Sequence, residues 1–89
     1  MEKKWLLYIL QCKDGTLYTG ITNDLTHRLE AHNSGKGAKY TRGRGPVKLC
    51  FVEYCENRAA ALRREYQVKQ MTTAEKWALC EESGNAGVN

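Results

Sequence analysis

No stretch of this 89-residue chain approaches the roughly 18 apolar residues that a membrane-spanning helix needs. The N-terminal "MEKKWLLYILQC" is charged but lacks a small-residue cleavage site, so it does not read as a secretion signal. The expectation is a soluble, cytoplasmic protein with no membrane partner. No C-x-x-C pair exists among Cys12, Cys50, Cys55 and Cys80, which argues against a zinc knuckle, and without a secretion signal the thiols should stay reduced. Free cysteine behaves as a small apolar residue, so the four are expected to be buried and structural. Between Ala31 and Val52 there is no Asp or Glu, while Lys36, Lys39, Arg42, Arg44 and Lys48 all fall inside that block. Such a block suits a polyanion, and its other reading is a solvated loop. There is one proline and no internal repeat.

What is present is ordinary for a globular protein. Hydrophobic residues make up 42% and charged residues 27%, with a net charge of +4, which is too apolar for a disordered chain. The length points to a single domain over residues 1–89, with a core of about 5–82 and a flexible tail over 83–89, and a monomer is the expectation.

Residues 5–12 and 16–21 are aromatic and β-branched enough for strands, and "KDG" between them is a hairpin signal. "DLTHRLEAHN" places Leu25 and Leu29 at i, i+4 behind an Asn23/Asp24 cap, as a short amphipathic helix would. "NSGKGAKYTRGRGPVK" holds four glycines and the proline, hence a loop. "KLCFVEYC" alternates imperfectly but reads as a third strand. Asn57 can cap a helix through "RAAALRREYQVKQM", and Thr72 with Glu75 has capping-box spacing for a third, ending at about Glu82. The order β-β-α-β-α-α predicts a small α+β domain, with the helices covering one face of the sheet.

Two turns fit "KDGT", and they give opposite answers about Tyr8 and Tyr18. A two-residue Asp14-Gly15 loop places Tyr18 opposite Gln11 and puts the tyrosines on different faces. A three-residue Lys13-Asp14-Gly15 loop, with Gly15 left-handed, pairs Leu10 with Tyr18 and Tyr8 with Gly20. The second gathers Leu7, Ile9, Leu17 and Ile21 on one side, so it is preferred. It leaves two phenols on the other side, beside a glycine whose missing side chain would let a ligand approach the backbone.

Several polar residues invite chemistry. Arg28 and His32 stand at i, i+4 on the first helix as a basic stripe beside the leucines. A partly shielded guanidinium suits a phosphate, because its donor fork is planar and permanently charged. On the second helix Glu65 is the lone acid among Arg58, Arg63, Arg64 and Lys69, flanked by Ala61, Leu62 and Val68. An acid on an apolar stripe needs compensation. Lys69 at i+4 is one partner, and a hard divalent cation is the other. Together a metal, an arginine and a base meet the needs of phosphodiester hydrolysis. Tyrosine as the base would need its pKa lowered from about 10 by nearby cations.

With these residues in place, the sequence resembles the GIY-YIG nuclease superfamily, in its small stand-alone, single-domain branch. "LLY" (Leu6 to Tyr8) looks like the first motif and "YTG" (Tyr18 to Gly20) like the second. "TNDLTHRLEAHN" resembles the helix with its Arg and His, and "ALRREYQVK" the helix with its Glu. Leu6 stands where the first motif has glycine, and Thr19 where the second has isoleucine or valine. The resemblance implies a three-stranded antiparallel sheet flanked by helices and a single-metal endonuclease acting on nucleic acid, with DNA expected and a role in DNA repair or processing. It implies Tyr8 and Tyr18 in the active site, Tyr18 helping to activate water, Arg28 on the phosphate, His32 assisting, and Glu65 binding Mg²⁺ or Mn²⁺. Nucleic-acid contacts fall to Gly20 and to the basic loop, with Lys36, Lys39, Arg42, Arg44 and a stacking Tyr40. The competing reading is a non-catalytic nucleic-acid-binding module using the loop over 36–48, and a third is a protein-interaction domain with a degenerate site.

Overall fold

A computed structural model of the chain describes residues 4–34 and 46–87, with side chains through Glu82. Three strands, β1 (Trp5–Gln11), β2 (Leu17–Thr22) and β3 (Lys48–Cys55), form one antiparallel sheet in the order β2-β1-β3. Three helices complete the fold: α1 (Leu25–Asn33), α2 (Arg58–Lys69) and α3 (Thr73–Gly87).

The hairpin adopts the three-residue loop. Cys12 N–H donates to the Thr16 carbonyl at 2.8 Å, and Gly15 N–H donates back to the Cys12 carbonyl at 2.9 Å. Gly15 carries the positive φ, +87°, that this closure demands and that glycine tolerates without a steric penalty. Asp14 Oδ1 accepts from the Thr16 hydroxyl at 2.6 Å and from its amide at 3.1 Å, which locks the turn. The register therefore pairs Leu10 with Tyr18 and Tyr8 with Gly20.

The expectation that helices cover one face is corrected, because they cover both. β1 is the central strand, and Leu6, Leu7, Tyr8, Ile9 and Leu10 are all buried. Consecutive side chains point to opposite faces, so a strand buried throughout requires a layer on each side. On one face Leu6, Tyr8, Leu10, Cys12 and Val47 pack with Leu25 and Leu29 of α1. On the other, Leu7, Ile9 and Phe51 pack with Val68 of α2 and with Trp77 and Cys80 of α3. Fully burying each such aliphatic side chain contributes about 1.5–3 kcal/mol, so truncating Ile9 to Ala would cost about 2–5 kcal/mol.

The imperfect alternation of β3 has a local cause. Ile9 pairs with Phe51 but Leu10 with Leu49, so Cys50 is the extra residue of a bulge. Asp24 caps α1, accepting from His27 N–H at 3.2 Å, and Asn57 caps α2, accepting from Ala60 N–H at 2.8 Å. Thr72 and Glu75 form the reciprocal capping box, Thr72 N–H to Glu75 Oε1 at 2.8 Å and Glu75 N–H to Thr72 Oγ1 at 3.1 Å. Arg64 Nε donates to both carboxylate oxygens of Glu53, at 3.0 and 3.2 Å, which ties α2 to β3. The third helix continues to Gly87, beyond the expected end near Glu82, since an already nucleated helix gains a backbone hydrogen bond with each added residue. All four cysteines are free thiols. Cys12 and Cys80 are buried, but Cys50 and Cys55 are only partly so. Among the described residues no helix is long and apolar enough to cross a membrane.

Candidate functional site

The hairpin register and the capping of α1 bring four expected residues together on the α1 face of the sheet. The rings of Tyr8 and Tyr18 lie 6.3 Å apart, Tyr18 and His32 5.3 Å, and Tyr8 and His32 6.0 Å. Tyr8 sits on the central strand and is 1% exposed, whereas Tyr18, on the edge strand, is half-buried. Of the two phenols, Tyr18 is the one solvent can reach.

The polar groups form an ordered chain. Arg28 Nε lies 3.4 Å from the Tyr8 oxygen and can only donate to it. The Tyr8 oxygen lies 3.0 Å from His32 Nε2. The arrangement that uses every group runs from Arg28 Nε–H to the Tyr8 oxygen and from the Tyr8 hydroxyl to a neutral His32, whose ring proton then sits on Nδ1.

Burial sets the protonation states in the same direction. It lowers the His32 pKa below its ordinary 6.5, and the nearby Arg28 charge lowers it further. His32 is 1% exposed, so the expected basic stripe of Arg28 and His32 is corrected: only Arg28 carries charge at neutral pH. Burial also raises the Tyr8 pKa above 10.0, and the hydrogen bond from Arg28 only partly offsets this. Tyr8 is therefore a neutral phenol that holds Arg28 and His32 in place. Arg28 itself is held charged, chiefly by its hydrogen bond to Tyr8, with Tyr18 adding to the effect.

Gly20 has a clear steric role. A Cβ built there would lie 2.6 Å from the Tyr8 hydroxyl oxygen and 3.1 Å from the Tyr18 ring. The room left by the missing side chain is taken up by the Tyr8 phenol rather than left open to a ligand, which corrects the reason given for this glycine.

Glu65 approaches from α2. Its i−4 and i+3 neighbours Ala61 and Val68 are fully buried, while Leu62, expected on the same stripe, is 39% exposed and faces outward. The Glu65 side chain is 19% exposed and pairs with Lys69 Nζ at 3.3 Å. Its charge reaches the Tyr8 phenol, where it acts to raise the pKa. The carboxylate is thus within electrostatic reach of Tyr8, with a lysine as its counterion. Among the described residues no group of three or more His, Cys, Asp or Glu side chains could hold a metal ion. Glu65 offers one carboxylate, a donor of the kind a hard divalent ion takes beside water and phosphate oxygens.

The GIY-YIG catalytic domain matches residues 4–78. The chain belongs to the GIY-YIG family. It is 49% identical to the UPF0213 protein OB0043 of Oceanobacillus iheyensis, covering 91% of this chain and 94% of that protein. It is 58% identical to the UPF0213 protein CPE1444 of Clostridium perfringens, over 82% and 78% of the two chains. The solution structure of the UPF0213 protein BH0048 from Bacillus halodurans is similar, with a TM-score of 0.59 and 46% identity, covering 91% of this chain and 86% of that one. A nuclease family and a nucleic-acid substrate follow from the domain match.

The basic-loop residues Lys36, Lys39, Tyr40, Arg42 and Arg44 lie outside the described residues; Lys48, at the end of that block, is exposed at the start of β3. Sequence reasoning missed a depression at the outer edge of β2, about 330 Å³ in volume, lined by Leu17, Tyr18, Thr19, Lys69 and Lys76.

Proposed function

We propose that the chain is a divalent-metal-dependent endonuclease that hydrolyses phosphodiester bonds in DNA. The observation that carries this reading is the convergence of Tyr8, Arg28 and His32 in one hydrogen-bonded chain with the Tyr18 ring packed against Tyr8 and His32, within electrostatic reach of the Glu65 carboxylate. In this reading Glu65 holds Mg²⁺ or Mn²⁺, and the ion, when bound, lowers the pKa of a water and polarises the phosphate. Tyr18, the solvent-reachable phenol, assists in taking the proton from the attacking water. Arg28 also binds the phosphate and its developing charge through its donor fork. Tyr8 and His32 orient Arg28 from beneath, with Gly20 making room for Tyr8. The basic block over 36–48 supplies further attraction to the backbone.

The test is incubation of the protein with nicked, branched and plasmid DNA in Mg²⁺ or Mn²⁺, beside Glu65→Ala. Cleavage by the wild type that Glu65→Ala lacks supports the reading, and equal background cleavage by both refutes it. Salt-dependent binding without product, lost in Arg42→Ala and Arg44→Ala but not in Glu65→Ala, would instead favour a non-catalytic binding module.

A further inference from the structure

β2 is an edge strand, since the sheet runs β2-β1-β3 and no described strand pairs with its outer side. The depression there is lined from both faces of the strand. Tyr18 belongs to the face that carries the tyrosine cluster, while Leu17 and Thr19 point to the other. Tyr18 is thus shared between the cluster and the depression.

Two features of the depression stand out. Its charged walls are both lysines, one from the end of α2 and one from the start of α3. Lys69 is half exposed and balanced by Glu65, whereas the Lys76 ammonium makes no ion pair among the described residues. The second feature is the Thr19 hydroxyl. Thr19 is 4% exposed, and its Oγ1 has no hydrogen-bond partner among the described residues. A buried hydroxyl without a partner costs roughly 1–3 kcal/mol, and such a group calls for an occupant such as water or a ligand oxygen.

We infer that this edge is a second phosphate subsite, which takes the phosphodiester adjacent to the one at the tyrosine cluster as the strand passes over β2. This rests on the nuclease reading above. Lys76 supplies a standing positive charge for a phosphate oxygen. With a divalent cation held by Glu65, Lys69 would be released from its carboxylate partner to join it. The Thr19 hydroxyl bonds to a phosphate oxygen or to the water that accompanies it. A lysine contact of this kind gives affinity without sequence preference, because it reads only the backbone.

The test measures binding of a fluorescently labelled DNA oligonucleotide by anisotropy, without divalent ions, between 50 and 200 mM salt. Lys76→Gln should make the slope of log affinity against log salt shallower by about one. Over that salt range its affinity then falls about fourfold less than that of the wild type. Lys76→Arg should restore the slope, and Arg63→Gln, on the exposed face of α2, should leave it unchanged. Thr19→Val should weaken binding several-fold at constant slope. A Lys76→Gln slope equal to that of the wild type, or wild-type affinity in Thr19→Val, would overturn the subsite while leaving the nuclease reading standing. A wild-type protein that binds no DNA at 50 mM salt would overturn both.

Discussion

The Tyr8 hydroxyl lies 3.0 Å from His32 Nε2, joining the central strand to the end of the first helix through two side chains that are each 1% exposed. The same oxygen accepts from Arg28 Nε, so one phenol joins the buried His32 to Arg28, the residue that meets the phosphate in the proposed reading. Tyr8→Phe keeps the ring and removes the hydroxyl. It leaves His32 Nε2 without this bond in a dry site, which costs about 1–3 kcal/mol. Urea unfolding should show that loss, and an unchanged midpoint would mean that the pair is not structural.

The same pair makes stability depend on pH. The folded His32 pKa is below 6.5, so as pH falls through about 6.5 the unfolded chain takes up a proton that the folded chain refuses. Stability is fully present above that value and falls toward lower pH until the depressed folded pKa is passed. The slope contributed by His32 reaches at most about 1.4 kcal/mol per pH unit. For Tyr8 the sign is opposite, because its folded pKa is raised and its contribution is lost as pH climbs above 10. Unfolding free energies measured between pH 5 and 8 should be steeper in pH for the wild type than for His32→Gln.

Two glycines of the hairpin should fail differently. Gly20→Ala forces a methyl group to within 2.6 Å of the Tyr8 oxygen, so the buried ring must shift. Overpacking of this kind costs about 1–3 kcal/mol, and it should also abolish DNA cleavage because Arg28 loses its support. Gly15→Ala meets no atom within 4 Å, but it strains a φ of +87°. It should cost about 1 kcal/mol and leave cleavage intact once the protein is folded. Thermal melts and cleavage rates of the two variants check this contrast.

How much of this was legible in the sequence varied with the range of the interaction. The hairpin register was legible because it depends on local chemistry, a glycine able to adopt a positive φ and the sorting of Leu7, Ile9, Leu17 and Ile21 from the tyrosines. The three helix caps were legible for the same reason. The unbroken apolar run "LLYIL" of β1 is the pattern of a strand covered on both faces, and the one-face expectation overlooked it. The neutral, buried state of His32 was not legible. It depends on how deeply α1 seats its last turn against Tyr8, which i, i+4 spacing does not reveal. The reason for Gly20 likewise depends on where the Tyr8 ring ends across the sheet. The Lys76 and Thr19 depression brings β2, α2 and α3 together over long sequence distances, so no local pattern marks it.

Lys69 should hold Glu65 only weakly. The pair is a helical i, i+4 contact with a half-exposed lysine, of a kind that contributes about 0.3–0.5 kcal/mol. Lys69→Gln should therefore change stability by no more than a few tenths of a kcal/mol while tightening Mn²⁺ binding, because the ion no longer competes with an ammonium. Calorimetric Mn²⁺ titration of the wild type and Lys69→Gln measures this, and weaker Mn²⁺ binding in the variant would contradict it.

The central claim is that Glu65 brings a divalent ion to the tyrosine cluster. The most direct measurement is paramagnetic broadening of side-chain NMR signals on Mn²⁺ addition to the wild type and to Glu65→Gln. The account predicts that Tyr8, Tyr18 and Lys69 broaden first in the wild type, that the exposed Tyr54 stays sharp, and that Glu65→Gln removes the effect. Broadening that begins elsewhere, or that is the same in Glu65→Gln, would contradict it.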